Sequence, residues 1–203
     1  MEAVYDGYIS KYINRKASEP MARLLAKTRI TPNQMSWTAF GIAVLSFISF
    51  ILGQNILGGL LAQLSSIVDG VDGSLARLKS MTSAFGSLLD SMLDRYADIL
   101  IVLGLTLWSL SHEAYPRIWL VGFLAITGTI CTSYIRARID SNHRHLFSKG
   151  VKSLGSRDIR LFLIMVGAVI GQAYFCLILI ACLTHLIVFY RLIYVYRHLK
   201  VGR

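Results

Sequence analysis

The stretch that decides the fold reads Asp69-Gly-Val-Asp72-Gly73-Ser-Leu-Ala76-Arg77 and, after eight further residues, Gly86-Ser-Leu-Leu-Asp90-Ser-Met-Leu-Asp94. It places four carboxylates in an otherwise apolar sequence. Residues three or four positions apart lie on one face of a helix, so Asp69 and Asp72 share one face and Asp90 and Asp94 share another. We therefore expect two consecutive helices to direct all four carboxylates at a common point.

The sequence around this stretch has the composition of a membrane protein. Of its 203 residues, 55% are hydrophobic and 16% are charged, whereas charged residues make up about 25% of a typical soluble domain. Turns and charged loops separate six apolar segments, at about residues 33–53, 56–78, 85–111, 118–140, 158–171 and 172–196. We predict an all-α polytopic membrane protein with six transmembrane helices.

The first 30 residues have a different pattern, in which apolar side chains at near-helical spacing alternate with basic ones. This pattern predicts an amphipathic helix at the membrane interface, broken or bent near Pro20. Residues 1–30 then form a juxtamembrane segment, and residues 31–203 form the six-helix transmembrane domain. Thr31, Pro32 and Gln34 provide the start of the first membrane helix, because a capping threonine, a proline at the first position and a glutamine three residues after the cap are typical of helix starts.

The formal net charge of +10 would suggest a nucleic-acid partner in a soluble protein. Here the basic residues lie mainly between apolar segments, where they are typical of cytoplasmic loops. Arg117 is the only Lys or Arg on the predicted outer side. We therefore expect a multi-pass protein of the cell membrane with both termini and the acidic motif on the cytoplasmic side, and no nucleic-acid partner.

The four carboxylates predict a metal site. Ionised groups at membrane depth are costly unless they are paired, and four converging carboxylates repel one another unless a cation neutralises them. A ligand set made only of oxygen suits Mg²⁺, Mn²⁺ or Ca²⁺ better than Zn²⁺ or copper. Four acids exceed what one divalent ion needs, so the pattern favours two ions. The alternative, a set of solvated charges at helix ends, does not explain the small residues beside the acids.

The spacing D-x2-D-G-x2-A-R-x8-G-x3-D-x3-D resembles, at every fixed position, the signature of the CDP-alcohol phosphotransferase (CDP-alcohol phosphatidyltransferase) family of membrane enzymes. The resemblance implies a metal-dependent transfer of a substituted phosphate from a CDP-alcohol to the hydroxyl of an acceptor alcohol, with release of CMP. It implies Mg²⁺ or Mn²⁺ bound by Asp69, Asp72, Asp90 and Asp94, with Asp94 also acting as the general base. It also implies a homodimer.

The same resemblance implies the nucleotide contacts. Gly73 and Ala76 leave room for the nucleotide beside the helix backbone, and Arg77 corresponds to a phosphate contact. Asn33 lies in a Thr-Pro-Asn sequence that resembles the family's region near the nucleotide. Helix capping explains that sequence equally well.

A second group of residues suggests a pocket for the phosphate of an anionic acceptor. Arginines at helix ends or within a membrane segment are costly unless they face a partner or a wet cavity. The predicted acceptor-phosphate residues are Ser133, Arg136, Arg138, Arg157, Arg160 and Arg191. Pairing of some of these arginines with Asp140 or Asp158 stays open. For Arg95 and Asp98 we expect a pair within one helix.

Two shorter stretches refine the family resemblance. Residues 6–15 (DGYISKYINR) and 156–160 (SRDIR) resemble the archaeal and thermophile branch that makes di-inositol phosphates from CDP-inositol and inositol 1-phosphate. An alternative is a phospholipid synthase that joins a CDP-linked lipid to inositol phosphate. A cation transporter or channel is an alternative of another class, disfavoured because the acids cluster at one end instead of lining a pore.

Overall fold

The computed structural model describes residues 14–138 and 155–201, with side chains described as far as Arg197. These residues form seven helices and no strand, which confirms the all-helical prediction. The helices are α1 (Arg15–Leu25), α2 (Pro32–Ile51), α3 (Asn55–Leu78), α4 (Ala84–His112), α5 (Ile118–Arg138), α6 (Arg157–Val169) and α7 (Ala173–Val201).

Helices α2 to α7 follow the six predicted apolar segments in order. Three helices in the described part of the chain are long and apolar enough to cross a membrane: α2, α5 and the Ala173–Arg197 part of α7. Helices α3 and α4 carry the acidic motif, and α6 has 13 residues.

The predicted helix start at Thr31 is confirmed. The Thr31 side chain accepts a hydrogen bond from the backbone N–H of Gln34, and the Gln34 side chain accepts one from the backbone N–H of Thr31. Ser83 caps α4 in a similar way by accepting from the Gly86 N–H at 2.9 Å. Both caps lie at the end of the molecule that carries the acids, so the two helix starts there are fixed locally.

Helix α1 runs through Pro20, so the helix is not broken at this residue. Proline removes one backbone hydrogen bond, and Pro20 lies on the exposed side of a helix whose other side is fixed by packing. Ser18 and Ala22 are buried, and α1 packs against α3.

Helix α2 packs against both α3 and α4, whereas α3 and α4 touch each other at few places. Glycines allow this close approach. A Cβ at Gly58 of α3 would lie 2.7 Å from the Phe50 ring, and a Cβ at Gly104 of α4 would lie 3.1 Å from the rings of Phe47 and Phe50. The two acid-bearing helices are therefore held together mainly by α2.

The remaining helices complete the core. Helix α7 packs against α5 and α6, α5 packs against α4, and α6 packs against α3. Their shared interior contains fully buried side chains, among them Ile101, Leu161, Leu177 and Ile180. This packing sets the N-terminal end of α6, with its arginines, against the acid-bearing parts of α3 and α4.

Candidate active site

Three of the four motif acids meet at one point. Asp69 and Asp72 come from α3 and Asp90 comes from α4, and one carboxylate oxygen of each lies within 4.8 Å of the other two. Asp72 is buried, while Asp69 and Asp90 are partly buried. A compact set of oxygen donors of this kind fits a hard divalent cation such as Mg²⁺ or Mn²⁺.

Helix α2 contributes a residue that the sequence did not single out. The Ser36 hydroxyl, which is buried, donates a hydrogen bond to Oδ2 of Asp72. This bond orients the carboxylate from the side of α2. In the sequence, the position of Ser36 about one turn after Asn33 is the only feature that indicates a place in the site.

The fourth motif acid, Asp94, is joined to the cluster through Arg157. Nη1 of Arg157 lies 2.8 Å from Oδ2 of Asp69 and 2.9 Å from Oδ1 of Asp94. Both are charge contacts without the alignment of a hydrogen bond. Arg157 was predicted as an acceptor-phosphate contact, and in this structure its guanidinium lies between two of the predicted metal ligands.

Asp98, one turn beyond Asp94, forms ion pairs with both arginines at the start of α6. Arg157 donates through Nε to Oδ1 of Asp98 at 3.0 Å, and Arg160 donates through Nη2 to Oδ2 at 2.7 Å. Asp98 is only 2% exposed. The expected pair between Arg95 and Asp98 is wrong, because Asp98 points inward to α6, whereas Arg95 lies 4.0 Å from Asp94.

The site is bordered by a cavity of about 210 Å³ at the starts of α2 and α4 and the end of α3. All four residues predicted to contact the nucleotide line it, namely Asn33, Gly73, Ala76 and Arg77, together with Asp72 and Asp90. Gly86 permits the close fit of α4 here, because a Cβ at this position would lie 3.1 Å from Oδ1 of Asn33. We call this space the first cavity.

The predicted acceptor-phosphate residues divide into two groups. Arg160 donates to Oγ1 of Thr132 at 3.3 Å and to the carbonyl of Gly155 at 2.7 Å, and Arg191 donates to the carbonyl of Thr132 at 3.0 Å. These two buried arginines therefore meet at Thr132, on α5.

The other members of this group lie nearer the surface. Ser133 is partly buried, and Arg136 and Arg138 are exposed at the end of α5. Asp140, which was considered as a partner for these arginines, lies outside the described residues. The open pairing with Asp158 does not occur for Arg157 and Arg160, whose ion pairs are with the motif acids and Asp98.

A second cavity, also of about 210 Å³, lies between α1, α3 and the start of α6. It shares Asp72, Gly73 and Arg77 with the first cavity and also contacts Asp69. Its wall is built by hydrogen bonds from Asn14 to Ser66 at 3.0 Å and to Asp158 at 3.3 Å. The structure thus brings Asn14 and Arg15, the described part of the stretch 6–15, beside Asp158 of the stretch 156–160.

Comparison with known proteins identifies the family. The family model for CDP-alcohol phosphatidyltransferases matches residues 29–195. The fold is similar to that of the phosphatidylinositol phosphate synthase of Mycobacterium tuberculosis, solved with CDP-DAG bound, with a TM-score of 0.72 at 21% identity over 89% of this chain and 94% of that chain.

Several relatives share more of the sequence. The chain is 36% identical, over 82% of its length, to the bifunctional IPC transferase and DIPP synthase of Rubrobacter xylanophilus, and 37% identical, over 79%, to that of Thermococcus kodakarensis. It spans only 37% of the length of each of these two proteins. It is also 34% identical, over 74% of its length, to the archaetidylinositol phosphate synthase of Pyrococcus horikoshii, of which it spans 79%. The complete acidic motif, the helical fold and the family match together show that the chain belongs to the CDP-alcohol phosphatidyltransferase family.

Proposed function

We propose that the chain catalyses a metal-dependent transfer of a substituted phosphate from a CDP-alcohol to the hydroxyl of an acceptor alcohol, with release of CMP. The observation that carries this proposal is the contact between the Asp69, Asp72 and Asp90 cluster and the first cavity. A candidate site for a divalent metal thereby adjoins the cavity that Asn33, Gly73, Ala76 and Arg77 line.

Asp69, Asp72, Asp90 and Asp94 would hold the metal, as two ions of Mg²⁺ or Mn²⁺. The fit rests on an all-oxygen cluster in which carboxylates outnumber the guanidinium groups beside them. Such ions, when bound, would screen the diphosphate and stabilise CMP as it leaves.

The remaining residues bind and orient the substrates. Asn33, Gly73, Ala76 and Arg77 hold the nucleotide in the first cavity, with Arg77 offering its guanidinium to a phosphate. Asp94 takes the proton of the acceptor hydroxyl as general base. Its place one turn along α4 from Asp90, beside the acid cluster, supports this role.

The acceptor is an anionic alcohol, and inositol 1-phosphate is the preferred candidate. Its phosphate would be met by arginines at the end of α5, at the start of α6 and within α7, namely Arg136, Arg138, Arg157, Arg160 and Arg191, with Ser133. The convergence of Arg160 and Arg191 on Thr132 supports a positively charged wall at this place.

The preferred donor is CDP-inositol, because residues 6–15 and 156–160 resemble the branch that makes di-inositol phosphates from it. The Rubrobacter and Thermococcus relatives, which are named bifunctional IPC transferase and DIPP synthase, are in keeping with this choice. A CDP-linked lipid is the second candidate, because the Pyrococcus relative is an archaetidylinositol phosphate synthase of which the chain spans most of the length.

The same proposal includes the placement in the membrane. Helices α2 to α7 would be six transmembrane helices of a domain at residues 31–203, and residues 1–30 would form an amphipathic interfacial segment. The termini and the active site would lie on the cytoplasmic side of the cell membrane, and two chains would form a homodimer.

The test uses the purified chain in detergent with Mg²⁺ or Mn²⁺. CMP release is measured from CDP-inositol and, separately, from a CDP-linked lipid, each with and without inositol 1-phosphate. We expect acceptor-dependent release from at least one donor, its loss in Asp94→Asn, and its retention in Ser91→Ala, an exposed position on the same helix. Absence of metal-dependent CMP binding would overturn the proposal and would make cation transport the better account.

A further inference from the structure

We propose that the second cavity receives the alcohol moiety of the donor and that this moiety is a compact polyol instead of a lipid. The inference rests on the proposed function, because it assigns a substrate class to the same site. It decides between the two donor candidates from the chemistry of the cavity wall.

The described wall of the second cavity is polar throughout. Its side chains are hydroxyls, an amide, carboxylates and guanidinium groups, and glycine occupies the other positions. The residues found only here, and not in the first cavity, are Asn14, Arg15, Ser18, Ser66, Ser74 and Asp158, with Asp69 and Gly70. No described residue of the wall is aliphatic or aromatic. An acyl or isoprenoid chain placed against it would remove water from these polar groups without replacing its hydrogen bonds, whereas the hydroxyls of a polyol would replace them.

The position of the second cavity matches one end of a donor molecule. Asp72, Gly73 and Arg77 border both cavities. A donor whose phosphates lie at the acid cluster can therefore place its nucleotide in the first cavity and its alcohol in the second. Asp94 and Arg157 line neither cavity, which leaves their side of the acids for the acceptor.

The wall is preorganised by hydrogen bonds between three helices. Besides its bonds to Ser66 and Asp158, Asn14 accepts from Nε2 of Gln63 at 2.9 Å, and Ser66 donates to Asp158 at 3.2 Å. Asn14 and Ser66 are only 2% exposed. A fixed polar wall lowers the entropic cost of holding a polyol in one orientation.

The experiment measures binding without turnover. The purified full chain, in detergent with Mn²⁺, is loaded with labelled CMP, which is displaced by CDP, CDP-glycerol, CDP-inositol or CDP-diacylglycerol. For the wild type we expect a CDP-polyol to bind about tenfold more tightly than CDP, and CDP-diacylglycerol to show no such gain.

Two variants test whether the gain in affinity for a CDP-polyol arises in the second cavity. Gly70 is an exposed glycine of the second cavity at which an added Cβ would meet only Ser18, at 3.2 Å. Gly70→Leu should abolish the preference for the polyol and leave CMP affinity within about twofold. The matched control, Ser87→Leu in the first cavity, should weaken CMP and every donor alike while preserving their ratio.

Three results would overturn the assignment while leaving the proposed reaction in place. The wild type could bind CDP and both CDP-polyols with equal affinity, it could bind the lipid donor more tightly than CDP, or Gly70→Leu could keep the preference for the polyol. The order of donor affinities in the wild type tests the assignment even if Gly70→Leu does not fold. A wild type that binds no CMP with metal present would instead reject the proposed function itself.

Discussion

At the residue scale, the acid cluster depends on neighbours that hold each carboxylate in place. Asp69, Asp72 and Asp90 could be predicted because their spacing on apolar helices has no simpler explanation. Ser36 could not be predicted, since hydroxyl side chains in apolar helices commonly bond to their own backbone, as Ser49 does to the carbonyl of Leu45. Only the three-dimensional crossing of α2 and α3 separates these two serines.

That contrast gives a matched pair of substitutions on one helix. Ser36→Ala should raise the Mn²⁺ concentration needed for half-maximal CMP release by about tenfold, because the oxygen of Asp72 would lose the hydrogen bond that orients it. Ser49→Ala should change it little. The measurement is a Mn²⁺ titration of activity, and equal responses of the two variants would contradict the role assigned to Ser36.

Asp98 shows a second limit of sequence reasoning at this scale. Its spacing from Arg95 predicts a local pair, yet its partners come from α6, about 60 positions away. Two arginines compete more effectively than one partly buried neighbour for a buried carboxylate, because each buried charge needs a partner of opposite sign.

We expect Asp98→Asn to lower kcat for CMP release by roughly tenfold to a hundredfold, because Arg157 would lose the group that fixes it beside Asp94. CMP affinity should stay within about twofold, since Asp98 lines neither cavity. Glu19→Gln, an acid-to-amide change in a surface pair with Arg15 at 3.9 Å, is the control and should leave both quantities unchanged. A loss of CMP affinity as large as the loss of kcat would indicate a general structural defect instead.

At the scale of the elements, small residues decide how closely α2, α3 and α4 approach. The apolar segments and the cap at Thr31 could be predicted, because hydropathy and capping are local properties. The placement of α2 between the two acid-bearing helices could not, because it depends on a fit between Gly58, Gly104 and the Phe50 ring that spacing alone does not reveal.

Two glycine-to-alanine changes test this packing. Gly58→Ala should destabilise the fold by roughly 1–3 kcal/mol, because its Cβ would overlap the Phe50 ring. Gly41→Ala, for which no atom lies within 4 Å of the added Cβ, should be neutral or stabilising by up to about 1 kcal/mol, since alanine favours helix. Thermal unfolding in detergent measures both. A lower Tm for Gly41→Ala than for Gly58→Ala would contradict the described contacts.

At the scale of the whole molecule, the site lies where helices distant in sequence meet at one end of the bundle. Helix α3 supplies two acids, α4 supplies two more with Asp98, α2 supplies Ser36 and Asn33, and α6 supplies the arginines. The acidic motif alone predicts only the contributions of α3 and α4. The second cavity could not be foreseen, because Asn14 and Asp158 are 144 positions apart and meet only after α1 and α6 pack on α3.

The central claim is that the acid cluster binds divalent ions next to a nucleotide cavity. Equilibrium binding of Mn²⁺ to the purified chain, with and without CMP, tests it most directly in the wild type and in Asp72→Asn. We expect CMP to tighten Mn²⁺ binding in the wild type and the substitution to weaken Mn²⁺ binding by at least about tenfold. Mn²⁺ binding that is absent from the wild type, or that is the same in both proteins and indifferent to CMP, would contradict the account.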